Sequence, residues 1–189
     1  MLPSENISRL IREISSAAQL RTEDIPDIEL YMDQVTTFMD NKLSGYKRNE
    51  EDKVLTKAMI NNYAKAGLLI PPRNKKYSRD NMILLLLIYH LKQMLSINDI
   101  GQLFSHLFLG LKDDGAYVQK MYETFLETEQ DRYAKLEAAV FQELESIPEI
   151  TGTEPEEVEQ QQWFLLAMLL LSRAENEKRL AEKIIDKYF

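Results

Sequence analysis

Thr56 to Arg79, TKAMINNYAKAGLLIPPRNKKYSR, is the stretch whose reading decides the fold. It opens on a short helical pattern, with Met59, Ile60 and Tyr63 at i, i+1 and i+4, spacings that share one face. Thr56 stands where an N-cap hydroxyl accepts a backbone N–H of the first turn. Gly67 stands where a helix ends by entering the left-handed region, which glycine does without a Cβ clash. Leu68, Leu69 and Ile70 follow, and then Pro71-Pro72, which deny any further helix. The stretch closes on Arg73, Asn74, Lys75, Lys76, Tyr77 and Arg79, basic residues around one aromatic. A short helix with an amide-rich outer face, a sharp exit and a basic loop of hairpin size is the pattern of a winged helix-turn-helix.

NNYAKAGLLIPPRNKKYSRDN, followed by a long apolar helix and SINDIGQLF, resembles the MerR superfamily of winged-helix transcription regulators. In that family a recognition helix leaves through Tyr-x-Lys-x-Gly-Leu-Leu-x-Pro. A wing ending in Arg/Lys-x-Tyr-Ser follows, then an apolar helix and Ser-x-x-x-Ile. The likeness runs from Leu55 to about Phe108 and implies binding to duplex DNA. It departs at Gly45 to Lys53, GYKRNEEDK, a longer charged loop where the regulators have a compact first helix and turn. The chain as a whole, including IPDIELYMDQVTTFMDNKL and LTKAMINNYAKAGLL, also resembles an uncharacterised bacterial family known only as a domain of unknown function. That second likeness implies no activity.

Composition agrees with a helical protein. The 189 residues are 44% hydrophobic and 29% charged, ordinary values for a globular chain with real cores. Six glycines and long stretches of Leu, Glu, Lys, Ala and Met favour helices over sheet. The absence of cysteine excludes disulfides, thiolate metal sites and cysteine nucleophiles. MLPSENISRLIREI has no basic region leading into an apolar core, so no signal peptide is expected. The longest apolar runs, Met82 to Tyr89 and Trp163 to Leu171, fall far short of the ~20 residues that span a bilayer. A soluble, cytoplasmic protein is expected. The net charge of −8 is unevenly spread: from Lys42 to Arg79 ten Lys or Arg face three acids, a local +7 that leaves −15 elsewhere. A basic island on an acidic body binds phosphate at one face and repels it from the others.

Along the chain, Ile7, Leu10, Ile11, Ile14 and Ala18 make one helical stripe. Pro26 suits a first helical turn, and Ile28, Tyr31, Met32, Val35, Phe38, Met39 and Leu43 continue that helix over some five turns. Asp80 to Leu95 is apolar nearly all round, as in a helix packed on several sides. Ser96, with Asp99 three residues on, caps the next helix through Ile100, Leu103, Phe104, Leu107 and Phe108. Breaks are expected at Gly110–Gly115 and Pro148–Pro155, with long helices over 116–147 and 156–188. The expected domains are an N-terminal helix over 1–22, the winged domain over 23–110 and a helical dimerisation module over 111–189.

The DNA-reading candidates are Lys57, Asn61 and Asn62, with Lys65 at the phosphates; an Asn amide bonds adenine bidentately, and Lys reaches guanine or phosphate. Asn61 and Asn62 point in adjacent directions, so one of them either reads a base or faces the turn. Arg73, Lys75, Lys76, Tyr77 and Arg79 are the wing's phosphate candidates, Tyr77 either touching phosphate or packing beneath the wing. His90, in the most apolar helix, reads as a packed histidine. No HExxH, phosphate-cradling glycine loop or Gly-x-Ser-x-Gly elbow occurs, and Glu156-Glu157 sit at a helix start where they favour its dipole. No catalytic, cofactor or metal residue is therefore assigned. Tyr117, Met121, Tyr122, Phe125, Glu129, Tyr133, Trp163 and Phe164 either line a pocket for a cationic, apolar small-molecule effector or pack as core and dimer seam.

The expectation is an all-α, MerR-like winged-helix regulator with a small wing and a C-terminal long-helix module. It would bind double-stranded DNA as a homodimer, without enzymatic activity or cofactor. Its rivals are a protein–protein adaptor and a small-molecule-binding bundle on the same fold.

Overall fold

A computed structural model of the chain describes residues 4–15, 20–110, 116–148 and 154–189. Among them are seven α-helices and one two-stranded antiparallel sheet. The helices are α1 (Ser4–Ser15), α2 (Met32–Lys42), α3 (Lys57–Lys65), α4 (Arg79–Leu91), α5 (Ile97–Gly110), α6 (Tyr117–Glu145) and α7 (Pro155–Tyr188). The strands are β1 (Leu30–Tyr31) and β2 (Lys76–Tyr77). Among the described residues no helix is long and apolar enough to cross a membrane. The chain forms two compact units, Met1–Ser16 with Thr128–Ala181 and Ala17–Glu127 with Glu182–Phe189.

The second unit is built on α4. Met82 to Leu86 and Ile88 are all buried, so the helix is covered nearly all round. Val35 and Met39 of α2, Leu43 just after it, Ile60 and Tyr63 of α3, Ile100 and Phe104 of α5 and Val118, Tyr122 and Leu126 of α6 share its core. Full burial of a Leu or Ile side chain contributes roughly 1.5–3 kcal/mol, which makes α4 the chief source of cohesion here. The Ser78 hydroxyl caps α4 by accepting from Asn81 N at 3.3 Å. The helix ends at Leu91 rather than the expected Leu95, and the residues after it tighten into a turn in which Met94 N donates to the Leu91 carbonyl at 3.0 Å. Ser96 and Asp99 then form the expected capping box of α5, Asp99 N donating to Ser96 Oγ at 3.2 Å and Ser96 N to Asp99 Oδ2 at 3.1 Å.

The helix expected from Pro26 begins only at Met32. Leu30 and Tyr31 are extended instead and pair with Tyr77 and Lys76. Leu30 and Tyr77 face inward and are buried, while Tyr31 and Lys76 lie on the outer face, the Lys76 ammonium 5.1 Å from the Tyr31 ring centroid. Tertiary pairing thus overrides a helical periodicity, and Ile28, placed in the apolar stripe, is largely exposed.

In the first unit Ile7 and Ile11 of α1 pack with Val140 and Leu166, ringed by Leu136, Phe141, Trp163 and Leu170. The Ser8 hydroxyl donates to Glu137. Leu10 and Ile14 complete the expected stripe but are exposed, and Ala18 lies outside the described residues, as do 111–115 and 149–153 of the expected breaks. The long helices expected over 116–147 and 156–188 are α6 and α7, with Glu156 and Glu157 in the first turn of α7.

Candidate nucleic-acid interface

Both ends of α3 are fixed by the residues that the sequence marks. Thr56 Oγ1 accepts from Met59 N at 3.2 Å. At the other end Gly67 takes φ +74°, Leu68 N donates to the Tyr63 carbonyl at 3.0 Å and Gly67 N to the Ala64 carbonyl at 3.1 Å. This is a complete Schellman closure, and the buried Leu68 and Tyr63 supply its apolar contact. Ile60 and Tyr63 point into the core, so the opposite face is presented to solvent. Lys57, Asn61 and Lys65 lie there at i, i+4 and i+8 in one row, with Asn62 beside them, all exposed. Among the described residues the Asn61 and Asn62 amides and the Lys65 ammonium have no hydrogen-bond partner within the protein, whereas Lys57 is ion-paired to Asp33.

The basic loop is a tight hairpin. Arg73 and Lys76 bridge across a two-residue turn, with Lys76 N donating to the Arg73 carbonyl at 2.9 Å. Asn74 and Lys75 both have positive φ, 50° and 63°, the pattern of a type I′ turn. Asn tolerates that region, whereas glycine is the residue usually found where Lys75 stands. Arg73, Asn74 and Lys75 are exposed and Lys76 half-buried. Tyr77 is 4% exposed, which resolves its two readings in favour of packing beneath the hairpin; burial raises its phenol pKa above the ordinary value. Arg79 is also turned inward. Its guanidinium donates to the Thr22 carbonyl and lies 3.7 Å from Asp27, while Thr22 N in turn donates to Glu123 at 2.8 Å. Arg79 therefore ties the start of α4 to the segment before β1 and is not a free phosphate contact.

The junction of β1 and α2 gathers these parts. Asp33, in the first turn of α2, holds Lys57 of α3, and Tyr31, two residues earlier, carries Lys76 of the hairpin. The row on α3 and the tip of the hairpin are thereby attached to one short segment. Asp33 is the residue that the sequence reading missed: its carboxylate is exposed beside Lys57, and no local spacing links 33 to 57.

A second basic group lies in the charged loop Gly45–Lys53. Tyr46, Arg48, Lys53, Tyr89, His90 and Lys92 line a cleft of about 460 Å³. Lys47 is bonded to Asp40 at 2.8 Å, which holds that carboxyl below its ordinary pKa. Of the residues weighed as an effector pocket, Tyr122 is buried with its hydroxyl donating to the Leu20 carbonyl at 2.7 Å, and Phe164 is exposed. Glu129 and Tyr133 do line a cleft of about 380 Å³, together with Arg132, Lys135 and Arg173, of which the two arginines are ion-paired to Glu177 and Glu143. Among the described residues no group of three or more His, Asp or Glu side chains converges as metal ligands would.

The geometry defines a largely helical protein with a basic helix face and hairpin on an acidic chain. The chain belongs to the family described as a domain of unknown function (DUF1836), whose profile matches residues 20–125. No curated protein and no solved structure is matched by the chain.

Proposed function

We propose that the protein is a non-enzymatic, sequence-specific regulator that binds duplex DNA as a homodimer through a MerR-like winged helix. In this reading α2 is the supporting helix, α3 the recognition helix and the Arg73–Lys76 hairpin the wing. The observation that carries it is the exposed row Lys57–Asn61–Lys65 with Asn62 alongside, attached through the β1–α2 junction to a hairpin tipped by Arg73 and Lys75. An α-helix fits the major groove, where an Asn amide matches the N6 and N7 edge of adenine. Lys65 and the hairpin cations neutralise the flanking phosphates. Lys75 adds support, because a lysine held at positive φ where glycine fits better is a local cost of the kind found at functional sites.

Asp33 gives the adaptor reading its one specific support, since a carboxylate on this face repels phosphate but suits a basic protein partner. Selection of binding sites from random duplexes with the purified chain separates the two. The regulator enriches a defined sequence, and Asn61→Ala narrows its preference over random duplex by roughly 1–3 kcal/mol. An unenriched pool hands the assignment to the adaptor.

A further inference from the structure

The cleft between the Tyr46–Val54 loop and the end of α4 with the turn after it combines cationic and aromatic lining. Part of the lining is cationic: Arg48 and Lys53 are exposed and, among the described residues, neither lies within ion-pair distance of a carboxylate, although Lys53 acts on Asp40 from further off. Lys92 is half-buried, donates to the Val54 carbonyl at 3.0 Å and lies 5.1 Å from the Tyr89 ring centroid, with no carboxylate within ion-pair distance among the described residues. Desolvation lowers its pKa, the signature of an ammonium whose removal from water is only partly offset. Aromatic rings line the same cleft, Tyr89 beneath the Lys92 ammonium. Tyr46, Tyr89 and His90 stand edge to face with centroids 5.6–6.3 Å apart, and burial lowers the His90 pKa. Asp52 also lines the cleft, and its carboxylate is engaged by Asn49 N at 3.1 Å.

We propose that this cleft is a binding site for a small aromatic phosphate of mononucleotide size, with Arg48, Lys53 and Lys92 on the phosphate and Tyr46, Tyr89 and His90 against the planar ring. Arg48, Lys53 and Lys92 against the one carboxylate of Asp52 leave the lining net positive, which suits a phosphate dianion better than a carboxylate. The volume of about 460 Å³ falls inside the ~300–1,000 Å³ range of small-ligand pockets. Aromatic faces and edges supply the apolar contact that inorganic phosphate alone would not use. The site is built into the segment that leads to α3, because Val54, to which Lys92 bonds, lies two residues before the Thr56 cap. Ligand binding here requires no DNA, so it stands or falls separately from the regulator reading.

Isothermal titration calorimetry of the full chain tests it, with AMP, GMP and 4-nitrophenyl phosphate as probes and adenosine and inorganic phosphate as the separated halves. Saturable one-to-one binding of at least one probe is expected, about tenfold or more tighter than either half. The double variant Arg48→Gln, Lys53→Gln should lose about tenfold or more in that affinity at unchanged melting temperature, because both side chains are exposed and beyond ion-pair distance of any described carboxylate. No saturable binding of any probe, or equal binding by the double variant, overturns the proposal. So does a double variant that loses duplex DNA affinity when no probe binds, which would make the cleft a contact for the nucleic-acid backbone.

Discussion

Lys75 is the residue at which stability and function pull apart most clearly. Its φ of 63° is one that L side chains adopt at a cost of roughly 1–2 kcal/mol, part of which a glycine would recover. Lys75→Gly should therefore raise the urea midpoint, by no more than about 1 kcal/mol in stability. The same substitution should weaken duplex binding, because it removes an exposed cation from the hairpin tip. A midpoint that stays or falls would mean that the turn is not strained as its dihedral indicates. Thr56, Gly67, Ser96 and Asp99 were legible from sequence alone, since caps act within a few residues of themselves. Arg79, Tyr77 and Asp33 were not: their partners Thr22, Leu30 and Lys57 come from elsewhere in the chain, and a basic or aromatic residue looks the same whether it points out or in.

At the scale of elements, α4 answers for the fold and α3 for the site. Leu86 is fully buried in the middle of α4, and truncation of a buried Leu to Ala typically costs about 2–5 kcal/mol. Leu86→Ala should lower the urea midpoint accordingly, with the exposed face of α3 left chemically intact. An unchanged midpoint and cooperativity would show that α4 does not hold the core. The run MILLLLIY was legible because a helix covered on every side needs no periodicity, only length and apolar content. β1 was hidden for the opposite reason. Two residues of strand sit inside Ile28–Leu43, whose spacing reads as helix, and only their pairing with Lys76 and Tyr77 makes them extended. The long helices were visible throughout, but Leu126 rather than Phe125 turns inward along α6, a drift that the i, i+3, i+4 pattern allows either way.

At the scale of the whole molecule the outer row of α7 sets the expectation for assembly. Phe164, Met168 and Leu171 follow one another at helical spacing and are 64%, 50% and 65% exposed, more apolar surface in one row than a helix facing water usually carries. On the reading proposed above this row is the seam of a homodimer, formed with α6. Light scattering at micromolar concentration should then give twice the 22.1 kDa chain mass, and Phe164→Glu with Met168→Glu should return it to the monomer. A wild-type monomer with native helicity would remove the dimer from the account. The charge distribution supplies the remaining test. The chain carries −8 overall, yet Lys57, Lys65, Arg73, Lys75 and Lys76 are gathered on or beside one face. The salt dependence of duplex affinity, wild type against Lys75→Ala with Lys76→Ala, therefore tests whether this face binds DNA. With Lys65, Arg73, Lys75 and Lys76 of each of two protomers at phosphates, and Lys57 held by Asp33, log affinity should fall against log salt with a slope of about −7, and the double variant should flatten it to roughly −4. Duplex affinity that is absent at low salt, or that keeps the same slope when both lysines are removed, would contradict binding at this face.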